Sequence, residues 1–422
     1  MNTAVVGVNW GDEGKGRMVD LLSEQNDIII RYQGGANAGH TVINEFGKFA
    51  LNLLPSGIFR KEKVNILGLG MVIDLEHLSG EINTLRKSGI SITPENLKIS
   101  DKAIISTPYH KLLDELEEDR LAESKQGSTR RGIAPAYSDK ALRKALRIED
   151  LFNFESLKSK VAALMEWKNL SIEKVYGHTA LKVDQIFDWL VKYGTEILPY
   201  VCDVAQYISS NTGKNILFEA QLGALRDLDY GIYPYTTSSC ALAAYAPIGA
   251  GVPFAPVDSV IGIVKAYSSS VGGGPFTVEM QGAEAEALRE AGGEYGAATG
   301  RPRRVGAFDV VASVYGVQMQ NVSEIALTKL DVLSYMDKIP VCVAYEIDGK
   351  ITKKFPTGDR LVKAKPVYEY LEGFKTDVSG CRKISDIPAA ALEYVRFIEN
   401  ALGKKIKYLS VGAERNAYIQ MY

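Results

Sequence analysis

The sequence has few cysteines and histidines and no apolar run suited to a membrane. Its four cysteines, at 202, 240, 342 and 381, are far apart and form no C-x-x-C pair, which argues against a zinc site and a disulfide framework. The uncharged stretch 240–257 contains three prolines, so it cannot form a continuous transmembrane helix. The apolar run 4–8 is followed closely by charged residues, which leaves no signal-peptide core. We therefore predict a cytoplasmic protein that does not bind membranes.

Neither sign of charge is in excess. Lysine and arginine number 49 against 51 aspartates and glutamates, for a net charge of -2, so the chain has no general electrostatic attraction for nucleic acid or anionic lipid. The composition, 46% hydrophobic and 24% charged among 422 residues, is typical of folded globular proteins and excludes disordered and collagen-like classes. An anionic ligand must therefore be bound by local groups.

Short β-branched runs alternate with longer amphipathic segments. Apolar residues at 109–123 and 180–210 have helical spacing, and the strand-like runs are 3–8, 28–31, 64–67, 216–219, 260–264, 324–329, 341–345 and 406–410. This alternation predicts an α/β fold with a large, mostly parallel sheet covered by helices. Because we find no repeat or linker, we expect a single domain over 1–422 with a helical excursion at about 85–210.

The first chemical signal is the loop GDEGKG at 11–16, which follows a predicted strand and precedes a helical run. Glycines let backbone N–H groups approach phosphate oxygens, the helix N-terminus adds a positive dipole, and Lys15 adds a charge. The loop does not match the standard P-loop pattern. Taken alone, it is equally compatible with a phosphate cradle and with a simple glycine-rich turn.

A second glycine-rich loop, QGGANAGHT at 33–41, follows the predicted strand 28–31. Loops that follow neighbouring parallel strands face one crevice at the carboxyl ends of the sheet. His40 lies in this loop among small residues, a setting that favours a ligand-facing histidine over a core one.

The tetrapeptide TKLD at 328–331 follows an apolar strand and is similar to the guanine-reading motif [NT]-K-x-D of GTPases. A carboxylate at 331 would accept hydrogen bonds from guanine N1–H and the 2-amino group, which adenine does not offer. So short a motif, taken alone, is also compatible with a solvated loop.

Arginines cluster in TGRPRR at 299–304, after glycines at 292, 293 and 296. Guanidinium groups bind carboxylates and phosphates bidentately. An isolated cluster of this kind is usually a surface charge run. Because three other anion-binding signals are present, we favour a clamp.

These segments together resemble one family from end to end. They are WGDEGKG at 10–16, RYQGG at 31–35, NAGHT at 37–41, GIYPYTTSS at 231–239, KAYS at 265–268, TKLD at 328–331 and SVG at 410–412. The chain resembles the adenylosuccinate synthetase family, whose α/β fold is related to P-loop NTPases. The resemblance implies a GTP-dependent ligase that condenses IMP with L-aspartate to adenylosuccinate, GDP and phosphate through 6-phosphoryl-IMP, in AMP biosynthesis.

The resemblance also implies roles for individual residues. Asp12 would remove the N1 proton of IMP and bind Mg²⁺, together with the Gly39 carbonyl. His40 would hydrogen-bond the 6-oxygen, and Lys15 would stabilise the charge of the transferring phosphoryl group.

Three further sets of residues would bind the substrates. The IMP 5′-phosphate would be held by Asn37, Thr129, Thr237 and Arg143, with Arg143 coming from the other subunit of a homodimer. The carboxylates of aspartate would be held by Thr299 and Arg301. GTP would be bound by Gly11, Asp12, Glu13, Gly14, Lys15, Gly16, Thr41, Arg303, Lys329, Asp331, Ser410 and Gly412.

The chain departs from the family pattern around the acceptor base. It reads EAQLG at 219–223 where the family has EGAQG, so Leu222 stands where an amide is expected. Adjacent strand residues point to opposite faces, so Gln221 could substitute only if the strand bulges. Arg130, Ala36 and Pro302 also differ from the family pattern.

Two alternatives stay open at this point. One is the same chemistry on another 6-oxopurine nucleotide or another amine. The other is a GTP-binding regulator without catalysis, although the presence of both Asp12 and His40 argues against it, because a binder has no need of an acid-base pair.

Overall fold

The structure, a computed structural model, describes residues 1–125, 127–296, 300 and 302–422. In these residues the strands are β1 Thr3–Gly7, β2 Ile28–Arg31, β3 His40–Asn44, β4 Gly47–Leu51, β5 Val64–Leu67, β6 Val72–Ile73, β7 Leu97–Ser100, β8 Ile104–Ile105, β9 Val201–Cys202, β10 Ile216–Gly223, β11 Ser259–Lys265, β12 Ser268–Ser270, β13 Arg304–Gly306, β14 Phe308–Asp309, β15 Glu324–Thr328, β16 Lys338–Ile347, β17 Lys350–Thr352, β18 Lys365–Glu372, β19 Ile406–Ser410 and β20 Tyr418–Gln420.

The α-helices of the same residues alternate with these strands. They are α1 Lys15–Leu22, α2 Leu75–Lys87, α3 Pro108–Leu121, α4 Ile133–Leu142, α5 Phe154–Leu170, α6 Val183–Ile197, α7 Val204–Ser209, α8 Ala246–Ala250, α9 Gly282–Gly292, α10 Val310–Met319, α11 Asp359–Val362 and α12 Ala389–Leu402. None of the helices in the described part of the chain is long and apolar enough to cross a bilayer.

Ten strands form the main sheet, in the order β20-β19-β15-β11-β1-β10-β2-β5-β7-β9. Every neighbouring pair is parallel except β19 and β20. The predicted α/β fold with a large, mostly parallel sheet is confirmed. The predicted strand at 341–345 instead belongs to β16, which pairs with β14, β17 and β18 in a smaller sheet.

Both faces of the central strands are buried, because alternate side chains pack against different helices. On one face Val5 and Ile29 pack in a cluster with Met18 of α1. On the other face Val6 and Phe218 belong to the largest apolar cluster, which also includes residues of α10 and α12. The near-continuous apolar sequence of these strands follows from this double coverage.

Local signals explain individual helices, as α2 illustrates. The Asp74 side chain accepts a hydrogen bond from the His77 backbone at 3.2 Å and so caps the first turn. Arg86 and Lys87 lie in the last turn, where cations favour the helix dipole. Gly89 then adopts a φ of +83°, a left-handed conformation in which the chain leaves the helix.

The segment rich in helices, α3 to α6, lies between β7 and β9 in sequence. Both of these strands pair at one edge of the main sheet. The helices bury a second apolar cluster that includes Leu151, Leu157 and Leu190. The excursion therefore leaves the sheet after β7 and returns to it at β9.

Candidate active site

The predicted site residues lie mostly at the carboxyl ends of the parallel strands. Loops that follow β1, β2, β15 and β19 contain GDEGKG, QGGANAGHT, the residues after Thr328, and SVG. In the sheet order these strands lie close to one another, and ligands of open α/β sheets bind at this edge.

The first loop turns sharply into the N-terminus of α1. Gly11, Asp12 and Gly14 all have positive φ, of 99°, 60° and 94°, which glycine adopts readily and aspartate only at a cost. Glu13 is buried below the loop, where its carboxylate accepts from the Gly11 backbone and from Lys15 Nζ, each at 2.7 Å. The loop is thus fixed by a carboxylate, and the predicted phosphate-binding lysine is already paired.

Gly16 brings the two glycine-rich loops together. A Cβ atom at this position would lie 2.6 Å from the Cβ of His40, so no larger residue fits without displacing β3. The N-terminus of α1 therefore lies directly against His40.

His40 is held from behind by a buried carboxylate. Its Nδ1 lies 2.5 Å from Oε1 of Glu219, while its Nε2 is buried and has no hydrogen-bond partner among the described residues. Burial, assisted by the charge of Arg31, lowers the pKa of His40 even though Glu219 raises it. A buried polar atom without a partner is costly, so Nε2 is the ring atom of His40 that is available to a ligand.

Asp12 is paired with the arginine-rich segment. Its Oδ2 lies 3.3 Å from Nε of Arg303, which also donates from Nη1 to Glu294 at 2.8 Å. The Asp12 side chain keeps 28% of its surface exposed, so a carboxylate oxygen remains accessible. Thr299 and Arg301, predicted to bind aspartate, lie outside the described residues.

Glu294 is a buried carboxylate surrounded by several cationic side chains, a feature that the sequence did not reveal. It accepts from Lys265 Nζ at 2.8 Å and from Tyr267 Oη at 2.5 Å, and Lys329 Nζ lies 3.3 Å away. Burial alone would raise the pKa of Glu294, but Lys265, Lys329 and Arg303 hold it well below its usual value. One carboxylate therefore connects the arginine-rich segment with the TKLD motif.

The TKLD motif is hydrogen-bonded to the first loop and contains a buried carboxylate. Thr328 Oγ1 donates to the Glu13 carbonyl at 2.7 Å. Oδ1 of Asp331 is buried without a hydrogen-bond partner in the described part of the chain, and burial raises the pKa of this carboxyl. An unpaired buried acceptor near the first glycine-rich loop is suited to the paired donors of a guanine edge.

Two arginines hold the SVG segment beside α1. Arg17 donates to the Ser410 hydroxyl, to the Gly412 carbonyl and, at 2.7 Å, to the Ala417 carbonyl. Arg415 forms a two-point contact with Asp20 of α1, at 2.7 and 2.8 Å. Burial lowers the pKa of Arg17 to about 10. Neither arginine lies in a recognisable motif, and only proximity in three dimensions reveals their role.

The strand does bulge at the departure from the family pattern. Val5 pairs with Glu219 but Gly7 pairs with Gly223, so β10 has two extra residues, and Leu222 has a φ of +64°. The side-chain amide of Gln221 nevertheless forms its hydrogen bonds with another loop. Its amide donates to the carbonyls of Gly35 and Ala38 at 2.8 and 3.2 Å and accepts from the Gly35 backbone at 3.2 Å.

The remaining predicted residues vary in burial. Asn37 is half-buried and accepts from the Gly35 backbone at 3.2 Å, and Thr237 is also half-buried. Thr41 and Thr129 are exposed. Arg143 ends α4 with a φ of +60°, is exposed, and its guanidinium forms no hydrogen bond or ion pair within the described ranges.

Comparison with known proteins identifies the family. The family model for adenylosuccinate synthetase matches residues 4–419. The chain belongs to the adenylosuccinate synthetase family. It is 44% identical to the adenylosuccinate synthetase of Carboxydothermus hydrogenoformans, over 99% of each chain. It is 42% identical to that of Streptococcus gordonii, over 98% of this chain and 97% of the relative.

Solved structures agree with the adenylosuccinate synthetase assignment. The fully ligated adenylosuccinate synthetase of Plasmodium falciparum is similar with a TM-score of 0.93 at 35% identity, covering 100% of this chain and 99% of that one. The succinoaminodeoxyadenylate synthetase of cyanophage S-2L, at 18% identity and a TM-score of 0.61 over 99% and 95% of the two chains, shares the fold. The predicted family, fold and enzymatic class are confirmed.

Proposed function

We propose that this protein condenses IMP with L-aspartate, coupled to GTP hydrolysis, to give adenylosuccinate, GDP and phosphate in cytoplasmic AMP biosynthesis. The observation that carries the proposal is the buried Nε2 of His40, which has no hydrogen-bond partner among the described residues and lies beside a glycine-rich phosphate loop that also contains Asp12. A nucleotide-binding protein without catalysis has no use for this arrangement.

The reaction has two stages because the 6-oxygen of IMP is a poor leaving group. Asp12 takes the N1 proton, and the 6-oxygen then attacks the γ-phosphorus of GTP and releases GDP. The amine of aspartate next attacks C6, loses a proton and expels the 6-oxygen as phosphate. His40 hydrogen-bonds the 6-oxygen through Nε2, and stabilises the charge that develops there.

The GTP phosphates lie at the N-terminus of α1, where backbone N–H groups and the helix dipole favour anions. Lys15 contacts the phosphates and gives up part of its contact with Glu13. Arg303 and Thr41 lie on either side of the phosphates. Preorganised positive groups of this kind stabilise the charge spread over the transferring phosphoryl group. The 2.7 Å pair of Lys15 and Glu13 supports this role, since it keeps the lysine directed at the loop.

Guanine is read by Asp331, whose buried Oδ1 accepts from N1–H and the 2-amino group. Lys329 covers the ring with its aliphatic stem. Ser410 and Gly412, positioned by Arg17, close the other side of the base.

Mg²⁺ fits the oxygen donors at the phosphate loop. The partly exposed Asp12 carboxylate and the Gly39 carbonyl would hold it, and the nucleotide phosphates would complete its shell, as is usual for Mg²⁺. When bound, the ion neutralises phosphate charge during transfer.

IMP and aspartate bind beside the second loop, and the site is completed across a homodimer. Asn37, Thr129 and Thr237 hold the 5′-phosphate together with Arg143 of a second copy. The exposure of Arg143 and its lack of a partner within the described residues support this assignment. Thr299 and Arg301 bind the carboxylates of aspartate.

Asp12→Asn is the direct test. The amide keeps the shape of the carboxylate but cannot take the N1 proton, so kcat should fall by several orders of magnitude while the fold is retained. The matched control is Asp184→Asn in α6, whose side chain is 76% exposed. Formation of adenylosuccinate and GDP is measured together with the thermal midpoint. A folded Asp12→Asn protein with substantial kcat would reject the assignment.

A further inference from the structure

A buried arginine follows the bulged end of β10. Arg226 ends a short 3₁₀ turn and keeps only 8% of its surface exposed. Its guanidinium donates to the Ser270 hydroxyl at 2.8 Å and to the Val271 carbonyl at 2.6 Å. It also donates to the Tyr235 carbonyl at 2.5 Å and to the Gly273 carbonyl at 3.4 Å. Arg226 therefore joins the loop after β12 to the GIYPYTTSS segment.

The contacts of Arg226 extend on both sides to the proposed 5′-phosphate site. On one side, the Thr237 backbone donates to the Arg226 carbonyl at 2.8 Å. On the other side, the loop after β12 lies against Gly127, since a Cβ atom added to Gly127 would be 3.4 Å from the Cα of Gly272. Thr129 follows Gly127 by two residues. A series of contacts through Arg226 thus connects Thr237 with the loop that contains Thr129.

The loop after β12 fits closely onto the GIYPYTTSS segment. Gly274 has a φ of +98°, and a Cβ atom at this position would lie 2.6 Å from the ring of Tyr235, so no larger residue fits there. Arg304 supports the same loop by donating to the Gly274 carbonyl at 2.8 Å. A small displacement of this loop would therefore change the shape of the pocket between the two threonines.

The positive charge of Arg226 has no counter-ion within the described residues. Its hydrogen-bond acceptors are three carbonyls and one hydroxyl, whereas Arg304 forms a two-point ion pair with Glu279 at 2.5 and 2.8 Å. Burial lowers the pKa of Arg226 to about 10, so the side chain is cationic at neutral pH. A buried charge without a counter-ion is costly, and a phosphate bound nearby would supply the negative charge.

We propose that Arg226 is a positioning residue of the acceptor site, which holds the loop after β12 against the GIYPYTTSS segment and so forms the subsite for the 5′-phosphate of the acceptor nucleotide. The inference rests on the proposed function, in which Thr129 and Thr237 bind that phosphate. A purely structural role would lower the stability of the fold and weaken all substrates alike. The positioning role instead predicts a loss of affinity confined to the phosphate end of the acceptor.

Arg226→Met tests this role, because methionine keeps an apolar stem and removes every donor. We expect the KM for IMP to rise roughly 10–150-fold, the equivalent of one hydrogen bond to a charged group, while the KM for GTP changes less than about threefold. Arg226→Lys keeps the charge and three donors without the planar fork, so it should recover part of the affinity for IMP. The thermal midpoint of each protein is measured in parallel.

Two fragments of IMP locate the effect within the acceptor. Ribose 5-phosphate contains the phosphate without the base, and inosine contains the base without the phosphate. Their dissociation constants are measured by calorimetry, which does not require turnover. In Arg226→Met the affinity for ribose 5-phosphate should fall by about the same factor as that for IMP, and the affinity for inosine should change less than about threefold.

Arg17→Met is the matched control. Arg17 is also a partly buried arginine that donates to loop oxygens, those of Ser410, Gly412 and Ala417, but at the proposed GTP end of the site. Its replacement should raise the KM for GTP and leave the affinity for ribose 5-phosphate unchanged.

An unchanged affinity for IMP in Arg226→Met, or equal losses for inosine and ribose 5-phosphate, would overturn the proposal. If the methionine protein does not fold, Arg226→Lys decides, since it should still weaken ribose 5-phosphate more than inosine. Failure of the proposed function would differ, because the wild type itself would then form no adenylosuccinate while calorimetry would still report on the phosphate subsite.

Discussion

Replacing Asp331 by asparagine should change the purine preference of the GTP site. Oδ1 of Asp331 is buried without a hydrogen-bond partner in the part of the chain that the structure describes, so its acceptor capacity is left for a ligand. The proposed contacts, from N1–H and the 2-amino group of guanine, are two hydrogen bonds to a charged group. At about 1.5 kcal/mol each, the low end for such bonds, they contribute roughly 3 kcal/mol, which corresponds to about 150-fold in kcat/KM.

Asparagine at 331 would present an NH₂ group where the carboxylate had an oxygen. This donor would face the 2-amino group of guanine, which is itself a donor. Xanthine has a 2-oxo group at the same place, so XTP can accept from the new NH₂ group. We therefore expect Asp331→Asn to lose GTP and to gain XTP as a phosphoryl donor.

The assay compares kcat/KM for GTP, ITP, XTP and ATP at fixed IMP and aspartate. ITP lacks the 2-amino group, so the wild type should use it about tenfold less well than GTP. Asp337→Asn is the control, because its side chain is 84% exposed and pairs with Lys375. Unchanged GTP use by Asp331→Asn, or an equal loss in Asp337→Asn, would refute the guanine assignment.

Three other predictions concern the dimer, the acceptor base and pH. Mixing Asp12→Asn chains with Arg143→Leu chains should restore activity, because one site of the heterodimer then has both intact groups; heterodimers without activity would contradict the shared site. Leu222→Gln should lower the KM for IMP by a few-fold to about tenfold, the worth of one neutral hydrogen bond, with little change in kcat; identical kcat/KM values for IMP, dIMP, GMP and dGMP on both proteins would show that residue 222 does not contact the base. Burial raises the pKa of Asp309 to about 6, so its ionisation should cost the folded state about 3 kcal/mol as pH rises from about 4 to about 6. Asp309→Asn should lack this loss. Denaturant unfolding measures the free energy of unfolding of both proteins at several pH values in that window, and the same pH dependence in both would contradict the prediction.

Sequence-local features of the protein were predicted well. The strands β1, β2, β5 and β19 follow from short β-branched runs, and the two glycine-rich loops follow from composition at strand ends. The TKLD motif was recognised because its four residues are contiguous. In each case the physical cause, such as alternation or backbone freedom, acts over a few residues.

Long-range partners were not predicted, because no local pattern records them. Glu219 lies 179 residues from His40, and Arg17 lies 393 residues from Ser410. Glu294 reads in sequence as one charge beside a glycine-rich stretch, and only the fold surrounds it with cations. A bulge near Leu222 could be raised from the sequence only as a possibility, since it depends on how β10 pairs with β1.

The fate of the 6-oxygen of IMP tests the central claim most directly. If the oxygen attacks GTP and leaves as phosphate, then IMP labelled with ¹⁸O at C6 must transfer its label to inorganic phosphate. The measurement is the isotope shift in the ³¹P NMR spectrum of the phosphate formed during turnover with GTP and aspartate. The account predicts one ¹⁸O atom in each phosphate formed. Unlabelled phosphate, with the label released into water, would contradict it.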